Sequence, residues 1–430
     1  MFKRAKTALA IGAVGSTAAL LVAMQPAFGD PQARPGDAVG VGSDTVQNAA
    51  DFLFSGDTSG DTAYNNAKTN EVYNYFATGD ANGRALYDST GTLLYGNGTT
   101  AAVLRAGTKP VERPDGSGAG IAALTADSLG GAGYDGLPNG SITFARASRL
   151  PKGAEQSACA AITDCGGLHV FQFATDNLEI AKSSVSFNGF PLSGAMLLYI
   201  YSHCDGNQGV EWSEVPGAPA GASNNHIIPV IPQSGSGTRN FFESDIGLSD
   251  TTVTNSTCIR VSEEHDPTGI TLATQPGSTT NDAADAIEPF SVGKIKLIQS
   301  GYYANSQEPA SNFNIALISG CTSGDQTPNC PSADQNKAND GNPVYDSTRG
   351  LYFIARDFDL NLTPGSGACL SAPDSTYGEC QPSQPGGTKN WVNDLFKGSG
   401  SWIARSIQAP DIEAAGLTPN YQDLGDASSG

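Results

Sequence analysis

The 430-residue sequence is poor in the residues that most often build reactive or metal sites. It has four His, three Met and three Trp, and its eight Cys include no Cys-x-x-Cys pair. Scattered His without a paired thiolate motif offers zinc no ready tetrahedral set, so neither a metal nor another cofactor is expected. No Gly-x-Ser-x-Gly run occurs, which removes the usual strand-to-helix elbow of a hydrolase nucleophile. Positive charge is scarce: 23 Lys and Arg against 43 Asp and Glu leave a formal charge of −20. Without a basic stripe, no nucleic-acid partner is expected, and the acidic balance suits a well-solvated extracellular chain. Beyond the first residues no apolar run is long enough for a membrane span, and no internal repeat is visible.

What is present begins with an export-like start. Lys3, Arg4 and Lys6 precede an apolar run from Ala8 to Val22, and Ala27-Phe28-Gly29 offers small residues at a cut. Residues 1–29 are therefore expected to be a signal peptide and residues 30–38, with Pro31 and Pro35, a disordered leader. No Cys stands near the cut to carry a lipid anchor there. An even number of Cys in an exported chain favours disulfides. Short separations favour Cys159 with Cys165, Cys321 with Cys330 and Cys369 with Cys380, leaving Cys204 with Cys258; sequence alone does not fix this pairing.

Three Gly/Ser-rich bends lead into apolar, helix-like segments. Gly42-Ser43-Asp44-Thr45 precedes Val46 to Phe54. Gly116-Ser117-Gly118-Ala119-Gly120 precedes Ile121 to Leu124. Ser234-Gly235-Ser236-Gly237-Thr238 precedes Arg239 to Glu243. A helix N-terminus presents free N–H groups and the positive end of a dipole, Gly lets a ligand approach closely, and Ser or Thr adds donors. Converging bends of this kind make an anion site without a buried Lys; N-capping is the plainer alternative for each. Val39-Gly40-Val41, Ile142 to Ala145, Leu168 to Ala174 and His226 to Ile231 read as strands, while Gly194 to Tyr201 is ambiguous between buried helix and buried strand. Strand, bend and helix in repetition indicate α/β layering on a largely parallel sheet. Residues 304–348 and 362–390 read as surface insertions. Glu263-Glu264-His265-Asp266-Pro267 reads as a solvated turn, and Arg146 with Arg149 as either surface ion-pair partners or ligand groups.

These bends, in this order and with Phe144-Ala145-Arg146-Ala147-Ser148-Arg149 between the second and third, resemble the phosphate-binding proteins. These are solute receptors of ATP-driven phosphate uptake within the periplasmic-binding-protein superfamily, and the likeness is to a secreted actinobacterial member over Val39 to Leu297. The resemblance implies a two-lobed α/β fold of type II with a ligand cleft between the lobes. Lobe one would take 39–175, lobe two 176–297, and residues 298–430 would return to lobe one. It implies binding without bond chemistry, a small oxyanion (phosphate first) as ligand, and a membrane permease as partner. The implied ligand-binding positions are Ser43, Asp44, Thr45, Ser117, Ser148, Arg149, Ser236, Gly237, Thr238 and Arg239. The sequence departs from the family twice. Arg149 stands where the receptors carry a proton-accepting Asp, and Pro232 stands where they carry an Arg before the third bend. Arg149 and Arg239 are expected to bring compensating charge, with Asp44 as a candidate acceptor. A secreted phosphoesterase on the same scaffold, or a cell-surface interaction protein, are the alternatives.

Overall fold

A computed structural model describes residues 32–34, 37–56, 63–66, 71–77, 85–87, 93–96, 101–128, 130–204, 209–271, 284–300, 314–318, 337–361, 391–405 and 408–429. The signal-like segment lies outside them, as do Cys321, Cys330, Cys369 and Cys380. Among the described residues no helix is long and apolar enough to cross a membrane. Cys159 is bonded to Cys165 and Cys204 to Cys258, with Cα atoms 5.3 and 5.5 Å apart.

The first strand, β1 (Ala38–Gly42), runs through the first Gly/Ser bend into α1 (Asp44–Ser55). Val46, Ala49, Ala50 and Leu53 recur at helical spacing and are buried, so the helix forms by laying one apolar stripe on the sheet. Its first-turn Asp44 suits the dipole and its end is marked by Gly56 at positive φ. Short strands β2 (Val72–Asn74), β3 (Ala85–Tyr87), β4 (Leu93–Gly96), β5 (Ala101–Ala102) and β6 (Val111–Glu112) lead to α2 (Gly116–Ala126). Next come β7 (Phe144–Ala147) and the 16-residue β8 (Leu168–Ser183). Gly194 to Tyr201 resolves as α3 (Gly194–Ser202), started by Ser193, whose side chain accepts from the Met196 amide. The order continues with β9 (Ile228–Pro232), α4 (Gly237–Ile246), β10 (Arg260–Ser262), β11 (Ala286–Ser291), α5 (Val292–Gln299), β12 (Ile315–Leu317), β13 (Ser347–Arg356) and β14 (Thr418–Gly425).

The molecule is a mixed α/β protein of two lobes, and β8 runs through both. Its first half pairs with β13 and β14, its second half with β11 and β12. In lobe one the strand order is β2-β1-β7-β13-β8; in lobe two it is β8-β11-β9-β10, extended by β3 and β4. Alternation along the lobe-one strands sends Phe144, Phe353 and Ala355 to one buried layer with α1, and Ala145, Ala147 and Ile354 to the other with α2. Lobe two has its own core, in which Leu178 and Ile180 of β8 meet Leu197, Tyr201, Trp212, Ile231 and Phe242.

Three expectations are corrected. The sheet is not largely parallel. Parallel pairs occur within each lobe (β1 with β2 and β7, β9 with β10 and β11), whereas every described strand paired with β8 is antiparallel to it. The cause is the crossing itself: a chain that passes between lobes on one strand and returns on its neighbours must reverse direction. The leader is packed where it is described, since Ala33 and Asp37 are buried and the Arg105 guanidinium donates to the Asp37 carbonyl at 2.7 Å. Residues 304–348 are not only a surface insertion: β12 pairs with β8, and Tyr345 joins the lobe-two core.

Candidate functional site

The three Gly/Ser bends meet. Thr45, Ser117 and Thr238 each occupy the second residue of their helix, so three helix N-termini face one another. The Gly118 amide donates across the lobe boundary to the Gly235 carbonyl at 3.0 Å. Gly237 has no room for a side chain: a Cβ there would lie 2.3 Å from both Ser117 Oγ and Ser148 Oγ. Ser117 Oγ accepts from the Ser148 amide at 2.9 Å, which fixes the end of β7 against α2.

At the meeting point the Oγ1 atoms of Thr45 and Thr238, one from each lobe, are 3.2 Å apart. Both donate to the same oxygen, Oε1 of Glu264, at 2.5 and 2.6 Å, and Ser148 Oγ lies 3.5 Å from it. Each hydroxyl is fed from behind. His265 Nε2 is 2.8 Å from Thr45 Oγ1, and Arg349 Nη1 donates to Thr238 Oγ1 at 2.6 Å. The Ser291 amide donates to His265 Nδ1 at 3.3 Å, so the ring proton sits on Nε2 and points at Thr45. His265 holds this pose at φ 61°, a left-handed conformation that costs a non-Gly residue about 1–3 kcal/mol.

Glu264 is fully buried. Burial works to raise its carboxyl, but the His265 imidazole and the hydroxyls of Thr238 and Thr45 outweigh that and hold it well below the usual carboxylate range. Its second oxygen, Oε2, is buried and has no hydrogen-bond partner among the described residues. Next to it the chemistry inverts. Gln233 Nε2 donates to both Asp115 Oδ1 and Glu263 Oε1 at 3.0 Å, joining the α2 cap of lobe one to lobe two. Burial pushes both carboxyls up, Asp115 to about 7.

Arg349 is positioned by Asp176, which accepts from its Nε and Nη2 at 3.2 and 2.9 Å. The other Asp176 oxygen accepts from Ser291 Oγ at 3.0 Å. Asp176 lies midway along β8, Ser291 ends β11 and Arg349 opens β13. The three strands that pass between the lobes are thus tied together at the cluster.

The remaining residues named from sequence have other partners. Arg149 donates to both carboxylate oxygens of Glu155 (2.8 and 2.7 Å), and Arg239 to Glu243 (2.8 Å) and Asp250 (2.5 Å). Both guanidiniums are spent on carboxylates of their own segments, so neither is the free compensating charge expected; the Arg at the cluster is Arg349. Asp44 pairs with Lys294 at 2.8 Å and is no spare acceptor. Ser236 caps its own helix by accepting from the Arg239 amide at 3.1 Å. Ser43 is buried, and its hydroxyl has no partner among the described residues. Arg146 is buried, not a surface ion-pair partner: it donates to the carbonyls of Gly40, Gly42 and Ser43 and so fixes the first bend. Residues 263–266 are buried instead of forming a solvated turn, because β10 lies parallel to β9 and delivers them beside the third bend. The only local hint of Glu264 and His265 is the apolar Ile259 and Val261 just ahead of them, and it does not reveal the pairing of β10 (Arg260–Ser262) with β9 that buries them.

No protein-family model matches the chain, and no curated protein matches it. Among solved structures it is similar to an ABC-type phosphate transport receptor from Vibrio cholerae: 15% identity, 89% of this chain and 99% of that one covered, TM-score 0.41. It is also similar to a phosphate-binding protein from Stenotrophomonas maltophilia, at 11% identity over 89% and 90% of the two chains, with a TM-score of 0.41.

Proposed function

We propose that this protein is a secreted, non-catalytic receptor that holds a small oxyanion, phosphate first, between its two lobes and delivers it to a membrane permease. One observation carries the reading. A fully buried carboxylate oxygen, Glu264 Oε1, sits where hydroxyls of both lobes converge, and those hydroxyls are backed by Arg349 and His265. Charge in a dry interior is costly unless donors are already in place, so this junction is a prepared anion seat. Neutral hydroxyls and one shared guanidinium suit a tetrahedral oxyanion with several acceptor oxygens. The ligand would be gripped by Thr45, Ser117 and Ser148 from one side and by Thr238 from the other, with closure about the tied strands.

Removal of a hydroxyl tests the assignment. In a Glu264→Ala background, where no internal carboxylate claims the same hydroxyls, Thr45→Ala or Thr238→Ala should weaken phosphate binding by ~1–3 kcal/mol in titration calorimetry. Unaltered affinity in both variants would remove the seat from consideration. The hydrolase alternative needs His265 Nε2 as a base toward Thr45, but that nitrogen carries the proton while Nδ1 accepts from Ser291. No release of product from a chromogenic phosphate ester, with or without chelator, is the expected result.

A further inference from the structure

We propose that Glu264 is a built-in competitor: its carboxylate takes the place of a ligand oxyanion, links the lobes in the ligand's stead, and must be displaced before an external anion is bound. The inference rests on the anion-seat reading and goes beyond it by naming what regulates the seat.

Three observations point to an occupant instead of a wall. First, the two hydroxyls closest to the focus both spend their protons on one atom, Glu264 Oε1, so neither proton is left for another acceptor. Second, the contact spans the junction. Glu264 follows β10 of lobe two, whereas Thr45 belongs to α1 of lobe one, so the carboxylate closes the molecule as a bound anion would. Third, the occupancy is incomplete. Oε2 is buried and unpartnered among the described residues, which leaves a polar atom unsatisfied. A tetrahedral oxyanion has more acceptor oxygens to offer the Thr45, Thr238, Ser117 and Ser148 hydroxyls and Arg349 than this carboxylate uses. The ligand exchanges an incompletely satisfied internal anion for one that fits the donor set. Lobe closure without ligand and a threshold for capture follow from the same contact.

The test compares wild type with Glu264→Ala and the near-isosteric Glu264→Gln. Inorganic phosphate and sulfate are the calorimetric probes, and small-angle scattering reads lobe closure. Both variants are expected to bind phosphate roughly tenfold or more tighter than wild type. Wild type should be compact with or without phosphate, and Glu264→Ala expanded without phosphate and compact with it. Glu264→Gln, which keeps the shape and an acceptor oxygen, guards against misfolding of the Ala variant. If wild type binds phosphate and the variants bind equally or more weakly, Glu264 is part of the ligand's own recognition and the competitor role is overturned while the seat stands. If neither wild type nor variants bind either anion, the seat itself is overturned.

Discussion

Two carboxylates adjacent in sequence, Glu263 and Glu264, meet opposite surroundings at the lobe junction. Glu263 faces Asp115 across Gln233, acceptor against acceptor, and is driven up. Glu264 faces two hydroxyls and an imidazole N–H, and is driven down. Burial is alike for the two, so it is the neighbouring donors that decide which one is ionised. One junction therefore contains a pair of raised carboxyls and an anion seat side by side.

The largest disturbance of this contrast should come from Arg349→Ala. It removes the guanidinium behind Thr238 and leaves Asp176 buried without its ion-pair partner, at a cost of about 3–5 kcal/mol in urea unfolding. A loss below 1 kcal/mol would mean that water reaches the junction freely. Next is the pH response. The Asp115 carboxyl is raised from 3.8 to about 7 in the fold, so its contribution is fully present below about pH 4 and is lost as pH rises through 7. Glu264 runs in the opposite sense: its contribution is present above the ordinary Glu range and is lost as pH falls. Melting temperature should therefore drop between about pH 4 and 7, and Asp115→Asn should flatten that drop. An unchanged slope in the Asn variant would place the titrating group elsewhere. The smallest effect is expected at Ser236→Ala, which removes a helix cap: about 1 kcal/mol of stability lost, with phosphate affinity retained. Affinity lost in step with Thr238→Ala would instead make Ser236 a ligand group.

The neutral half of the junction was legible in the sequence and the charged half was not. The bends at Thr45, Ser117 and Thr238 are local: strand, Gly, hydroxyl and helix follow within a few residues, so the pattern survives without knowledge of the fold. Arg349 and Asp176 are 173 residues apart and become neighbours only through the register of β13 on β8. No local feature marks either one. Glu264 and His265 looked like surface because consecutive polar residues before a Pro usually are. Their burial depends on β10 joining β9, a pairing that sequence periodicity does not reveal in a three-residue strand. Arg149 and Arg239 misled for a related reason. Each stands near a bend, but an i+4 or i+6 carboxylate claims it first.

The bare Cα of Gly237 sets the thickness of the seam between the two jaws. A single methyl there would act as a shim. Gly237→Ala would keep every charge, but its methyl must either push the Ser117 and Ser148 hydroxyls aside or part the jaws, so it measures how tightly that seam is shut.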